Sequence, residues 1–341
     1  MNLAAAAIGA AEALPWPDRM LRTGVAMLVE RTSRHLDRAD PAAERAFAAA
    51  MAEYPIAAHT GDANAQHYEV PAAFFELVLG PRRKYSCCLY SNDTATLAEA
   101  EELALAETAE HAALQDGQDI LELGCGWGSL TLWMGEHFPR SQITAVSNSH
   151  SQGRFIREAA ARRGLSNVMV ETADMNRFAP ARQFDRVVSV EMFEHMSNWT
   201  ELLGRAHWWL RAEGRLFLHV FAHRSMPYRF DHNDKADWIG QHFFTGGIMP
   251  SHALIRRLPL PFAVEAEWRW NGRHYQRTAD DWLRNFDRHR AAVVPILREV
   301  YGDAAPLWER RWRLFFIATA GLFGARDGAA WGVSHYRLAS R

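Results

Sequence analysis

Hydrophobic and polar positions fall into two rhythms along the chain. Between residues 119 and 221, apolar runs of four to seven residues alternate with longer amphipathic stretches. The runs at 120–123, 143–146, 168–171, 184–190 and 216–221 read as buried strands, and 130–134, 152–163 and 199–210 read as helices. Gly164 is placed to end the second of these helices. Strand and helix in strict alternation predict an α/β fold: a parallel sheet with helices on both faces.

Before this region the rhythm is helical. Residues 18–36 carry Met20, Leu21, Val25, Leu28 and Val29 on one face. Asp40-Pro41 offers an N-cap and a first-turn proline for a helix through Met51. Residues 59–69 are polar and loop-like, 74–79 are apolar, and 91–114 are rich in the helix formers Ala and Glu. Residues 1–83 are therefore expected to form an N-terminal helical extension, a cover over a core at 84–341. Residues 224–261 break the alternation with Trp238, Phe243, Phe244, Gly246-Gly247 and Met249-Pro250, and are expected to form an inserted helical flap. A strand at 263–270, helices beginning at Thr278 and Pro306, and a last strand at 331–338 complete the pattern.

The first strand breaks on Gly124, Gly126 and Gly128 before the helix resumes at Leu130. Strand, glycine turn and helix form a nucleotide cradle, because missing side chains admit a ligand and free N–H groups at the helix start face it. A dinucleotide fingerprint wants its last Gly or Ala at the sixth position. Here Ser129 stands there, and with Glu122 two residues before the first glycine the stretch resembles the first motif of S-adenosylmethionine (SAM) methyltransferases. In an open α/β sheet, ligands bind at the carboxyl ends of the strands. Gly124–Gly128, Ser147-Asn148, Asp174 and residues 191–195 would all meet there. Asp174 is placed to accept from an adenine amino group.

Glu191-Met192-Phe193-Glu194-His195 follows an apolar strand directly. Burial at such an edge raises carboxylate pKa values, and each charge raises its neighbour's, which suits general-base chemistry near neutral pH. A helix-start carboxylate cluster is the alternative reading. His219 and His223 lie four apart with no third ligand at metal-binding spacing, so no metal is expected.

Composition narrows the partners. The chain of 341 residues is 48% apolar and 23% charged, with net charge −2 and pI near 6.8. No strong field draws it to nucleic acid or to anionic lipid. Cys87, Cys88 and Cys125 lack the spacing of a disulfide framework, so a reduced, cytoplasmic setting is expected. The Ala-rich start at residues 3–14 lacks the positive region of a signal peptide.

Together these motifs resemble one family over residues 84–337: the cyclopropane-fatty-acyl-phospholipid synthases and the related coclaurine-type amine N-methyltransferases. Tyr85-Ser86-Cys87 is similar to the family's entrance motif, where tyrosine and serine approach SAM. Ser147-Asn148-Ser149 with Gln152 is similar to its second-strand end, in which glutamine meets the ribose. The resemblance implies a Rossmann-like class I methyltransferase fold, with SAM bound by Tyr85, Ser86, Gly124, Gly126, Gly128, Ser147, Asn148, Gln152, Asp174 and Met175. Glu191 stands where the synthases typically carry glycine and the plant N-methyltransferases glutamate. The runs His223-Arg224, Trp238-Ile239 and 271–275 also look like the N-methyltransferase branch. That branch implies catalytic roles for Glu191, Glu194 and His195 and a small aromatic or cyclic amine as acceptor, with Glu191 attracting its cation and Glu194 and His195 expected to orient and deprotonate it. The synthase branch implies an unsaturated phospholipid acceptor and a bicarbonate held by residues matching Cys87, Glu194, His219, Phe221 and Tyr275. Both branches stay open at this point, as does a non-catalytic SAM-binding protein, and a homodimer is compatible with any of them.

Overall fold

The computed structural model describes residues 3–58 and 70–341, so the polar stretch 59–69 lies outside the described residues. Among the described residues nine strands run in chain order: β1 (Asp119–Leu123), β2 (Gln142–Ser147), β3 (Val168–Thr172), β4 (Phe184–Val190), β5 (Leu210–His223), β6 (Tyr228–Arg229), β7 (Ile248–Met249), β8 (Phe262–Asn271) and β9 (Trp331–Ser340). Seven of them form one sheet in the order β3-β2-β1-β4-β5-β9-β8. The first five are parallel, and β9 lies antiparallel between β5 and β8. The sheet grows outward from β1 in both directions, which makes the β1–β4 boundary the switch point where ligands bind.

Burial accounts for the strands. Ile120, Leu121 and Leu123 of β1 and Val187 and Val188 of β4 are fully buried, as central parallel strands covered on both faces require. β5 runs beyond the expected 216–221 in both directions; the charged Arg211, Glu213 and Arg215 near its start hide that part from an apolar-run reading. The preceding helix accordingly stops at Trp208, two residues early.

Caps explain other shifted boundaries. The helix expected over 91–114 spans Leu97–His111, because Thr96 and Glu99 close a reciprocal capping box. The helix expected from Thr278 begins at Arg273 and runs to Arg288. Asn271 Oδ1 accepts from the Arg273 N–H at 2.8 Å. Gly272 precedes it because any Cβ there would collide with the Trp331 and Phe323 carbonyls.

The insertion at 224–261 differs from the expected helical flap. It holds the two-stranded β6–β7 ribbon, one short α-helix, Trp238–His242, and a 3-10 turn, Leu254–Arg256. Phe243 at the end of that helix is fully buried and stacks on Phe315 with ring centroids 4.3 Å apart. Phe315 belongs to the C-terminal helix Ala305–Gly324, against which the N-terminal helix Asp18–Asp37 also packs. Arg313 ties these layers together through Asp18 and Asp287. Among the described residues, no helix is long and apolar enough to cross a membrane.

Candidate active site

A cleft opens at the carboxyl ends of β1, β2 and β4. Gly124, Gly126 and Gly128 adopt φ of 78°, 51° and 79°. Two of these glycines do different things. A Cβ on Gly128 would sit 2.7 Å from Ile156, so this glycine lets the following helix pack on its neighbour. A Cβ on Gly126 would meet nothing within 4 Å, and the residue borders the cleft. Ser129 Oγ at the helix start is buried without a partner and lies on the same wall. Ser147 Oγ donates to Gln152 Oε1 at 2.8 Å, which commits the amide oxygen and leaves its NH2 group for a ligand. Tyr85, Ser86, Asn148 and Met175 also line the cleft. Asp174 sits beside it, with Oδ1 accepting from the backbone and side chain of Asn176.

Glu191 closes the inner end. It ends β4 in a left-handed conformation, φ 48°, which a non-glycine residue enters at a cost of about 1 kcal/mol or more. The turn points its carboxylate into a ring of polar groups from three elements. Oε1 accepts from the Cys87 N–H at 2.9 Å and faces His219 Nε2 at 3.1 Å, while Oε2 accepts from Tyr275 Oη at 2.7 Å. Lys84, itself buried, donates to Ser86 Oγ and the Cys87 carbonyl, both at 2.6 Å, and fixes the entrance segment from behind.

Burial pushes the Glu191 carboxyl up, while the Lys84 charge and the hydrogen bonds from Tyr275 and Cys87 pull it back. Glu194 is fully buried; burial first and the Glu191 charge second push it well above the usual carboxylate range. Its Oε1 accepts from the Phe221 N–H at 2.6 Å, and Oε2 has no partner. With Tyr275 Oη, the Cys87 N–H and the Lys84 charge favouring its ionised form, Glu191 holds the negative charge of the pair, and Glu194, buried with one oxygen unpartnered, holds the proton. Glu194 thus braces the turn against β5 from behind the cleft wall. His195 reaches the cleft and stacks on Phe244, centroids 4.9 Å apart. Among the described residues, no group of three metal-ligating side chains is present.

A family model described as mycolic acid cyclopropane synthetase matches residues 58–329. The chain belongs to the mycolic acid cyclopropane synthetase family. Its relatives include (S)-coclaurine N-methyltransferase of Thalictrum flavum subsp. glaucum, 34% identical over 84% of this chain and 80% of that one. Cyclopropane-fatty-acyl-phospholipid synthase of Escherichia coli K12 is 28% identical over 79% of this chain and 66% of that one. A crystal structure of coclaurine N-methyltransferase bound to N-methylheliamine and SAH superposes with a TM-score of 0.91 at 30% identity, covering 95% of this chain and 96% of that one. This member of the family is a SAM-dependent methyltransferase. The residues present fit the cofactor: the open space at Gly126, the unpartnered Ser129 Oγ and the Gln152 amide converge on one cradle.

Several cleft residues were not singled out from the sequence. Phe315, Thr319, Leu322 and Phe323 come from one face of the C-terminal helix, and Phe230 from the insertion. Nothing local marks them, since all but Thr319 are apolar residues in apolar surroundings. Lys84 carried a usable signal: it is one of two lysines in a chain whose other basic residues, histidines aside, are arginines, and it precedes a Cys-Cys pair.

Proposed function

We propose that this methyltransferase methylates the nitrogen of a small, aromatic or cyclic amine. One observation carries the reading. The Glu191 carboxylate fills the ring of Cys87 N–H, His219 and Tyr275 Oη, which are members of the set that the synthase resemblance gives to bicarbonate. Where a synthase keeps glycine and borrows an anion, this chain supplies one covalently. A fixed carboxylate suits an acceptor that arrives as a cation and must lose a proton. An alkene has no such charge. The names of the coclaurine N-methyltransferase relatives support the same reading.

Bound in the glycine-turn cradle, SAM supplies an electrophilic methyl group. The chain attracts, orients and deprotonates the acceptor. Glu191 draws in the ammonium and takes its proton, freeing the nitrogen lone pair; Tyr275 and the Cys87 N–H keep its carboxylate aimed. His195, Phe244, Phe221 and Phe323 present ring faces and edges to an aromatic acceptor and exclude water. Much of the barrier reduction in such a displacement comes from holding the pair in line. Residues 1–83 serve as a helical cover, and 84–341 form the catalytic core with its acceptor wall at 224–261. The buried free thiols fit a reducing, cytoplasmic setting.

Incubation with methyl-labelled SAM and either a panel of cyclic amines or unsaturated phospholipid vesicles tests this. Label is expected on amine nitrogen. Label found only in lipid would overturn the reading.

A further inference from the structure

Behind Glu191 a file of three histidines crosses the sheet. His219 Nδ1 lies 2.8 Å from His335 Nε2, and His335 Nδ1 lies 2.7 Å from His111 Nδ1. His111 Nε2 reaches Glu107 Oε2 at 3.1 Å. With the 3.1 Å contact between Glu191 and His219, four consecutive contacts run from the cleft to the surface. The exposures grade outward: His219 and His335 are 0% exposed and His111 is 7%, and the Glu107 side chain is 34% exposed. Register places His219 and His335 opposite each other on β5 and β9. The rings are sheathed by Trp270, Phe217 and Trp268, the last stacked on His111 at 3.9 Å.

We infer that His219, His335 and His111 form a proton relay connecting Glu191 to Glu107. The inference rests on the amine reading above. With donor and acceptor filling the cleft, water has no front access to Glu191, and a proton taken from the acceptor needs a rear exit. The rings are neutral, because burial holds His219 and His335 well below the ordinary imidazole value. Three neutral rings carry three N–H protons across four contacts, so one contact is empty. With the empty contact at Glu191, the ammonium N–H bond breaks, its electron pair stays on nitrogen, and the proton bonds to a Glu191 oxygen. Each ring then accepts a proton on one nitrogen and releases one from the other, and Glu107 passes one proton to water. All three rings are left in the opposite tautomer; once product has left and water enters the cleft, a proton passing inward from Glu107 and out through Glu191 to that water restores the starting tautomers.

Other charges facing the file are few. Lys84 acts on Glu191, His219 and His335, which opposes a resident positive charge on the inner rings. Arg337 donates to the His111 carbonyl, and Glu110 sits beside the same ring. A positive charge is thus discouraged on all three rings, at His111 by burial and by Arg337, with Glu110 opposing. A purely structural hydrogen-bond chain would not need to end on an exposed carboxylate, and apolar side chains could fill this volume without desolvating three imidazoles.

The test uses His111→Phe, which keeps the stack on Trp268, and His335→Gln, with 1,2,3,4-tetrahydroisoquinoline as acceptor. SAM affinity is measured by calorimetry to show that the cradle is intact. At about pH 7, where this amine is an ammonium, kcat is expected to fall tenfold or more in each variant, part of the roughly 10²–10⁴-fold that positioned proton transfer supplies. The loss is expected to shrink as pH rises towards about 10, because a neutral amine brings no proton to remove. Equal kcat in wild type and His111→Phe at neutral pH, or a loss that does not change with pH, would overturn the relay. A wild-type enzyme that methylates lipid and no amine would overturn the underlying reading instead.

Discussion

Tyr275 Oη donates to Glu191 Oε2 at 2.7 Å, joining the helix Arg273–Arg288 to the end of β4 across 84 residues of sequence. The bond favours the ionised carboxylate. Tyr275→Phe removes that donor, so the Glu191 pKa rises further and the acid limb of the kcat profile moves to higher pH. A shift of about one pH unit is expected, since a hydrogen bond to a charged group is worth about 1.5–3 kcal/mol and one unit about 1.4. Rate profiles at saturating SAM measure it, and an unmoved limb would show that Tyr275 does not hold the base.

Replacing Glu191 separates built-in from borrowed anion. Glu191→Gly removes the carboxylate but keeps a residue at ease with φ near 48°. Amine methylation is expected to drop about 10²–10⁴-fold, and formate or bicarbonate at millimolar concentration to restore part of it by entering the ring of Cys87, His219 and Tyr275. Full activity without added anion would contradict the role given to Glu191.

Glu122 offers a stability test apart from the acceptor chemistry. It is 2% exposed, accepts from Thr131 Oγ1 at 2.5 Å, and burial raises its pKa to about 7. A carboxyl whose pKa is raised on folding binds its proton more tightly in the folded chain. Its contribution is complete below about pH 4.5 and is lost as pH rises through 7. Glu122→Gln keeps an acceptor for Thr131 and removes the titration. Urea unfolding at pH 5 and pH 8 should show the variant gaining on the wild type at the higher pH, by up to about 3 kcal/mol. A constant difference at both pH values would count against a raised Glu122.

The cradle glycines should separate by phenotype. Gly128→Ala meets Ile156 and a positive φ together, so it is expected to lower stability by about 1–3 kcal/mol. Gly126→Ala has open space on the protein side, and its methyl group intrudes on the cofactor cradle. Calorimetry should show that Gly126→Ala loses SAM affinity about tenfold or more while its Tm falls less than that of Gly128→Ala. The reverse ranking would reassign the two positions.

The sheet was legible because short apolar runs and glycine breaks are local signals, and residues 120–123 or 184–190 carry them without help from elsewhere. Helix starts were less so. Thr96 and Asn271 fix them through local capping hydrogen bonds that periodicity does not register. The sequence order also put Glu191, Glu194 and His195 together at a strand end, but not their division of labour. That depends on Cys87, His219 and Tyr275 arriving from three distant elements, with Glu194 left behind the wall. The histidine file is invisible in the sequence for the same reason: His111, His219 and His335 are over a hundred residues apart, and they meet because β5–β9 register pairs His219 with His335 and the helix Leu97–His111 ends against β9.

β5 runs 14 residues, from Leu210 to His223, and carries His219 and Phe221 at its inner end. It is bonded to parallel β4 on one side and antiparallel β9 on the other. The proton-handling groups are therefore mounted on a braced beam, whereas the acceptor walls hang from the insertion and the C-terminal helix. Substrate range and acid–base chemistry can then diverge separately: new side chains at Phe230, Phe244 or Leu322 would reshape the guest chamber and leave the Glu191 ring untouched.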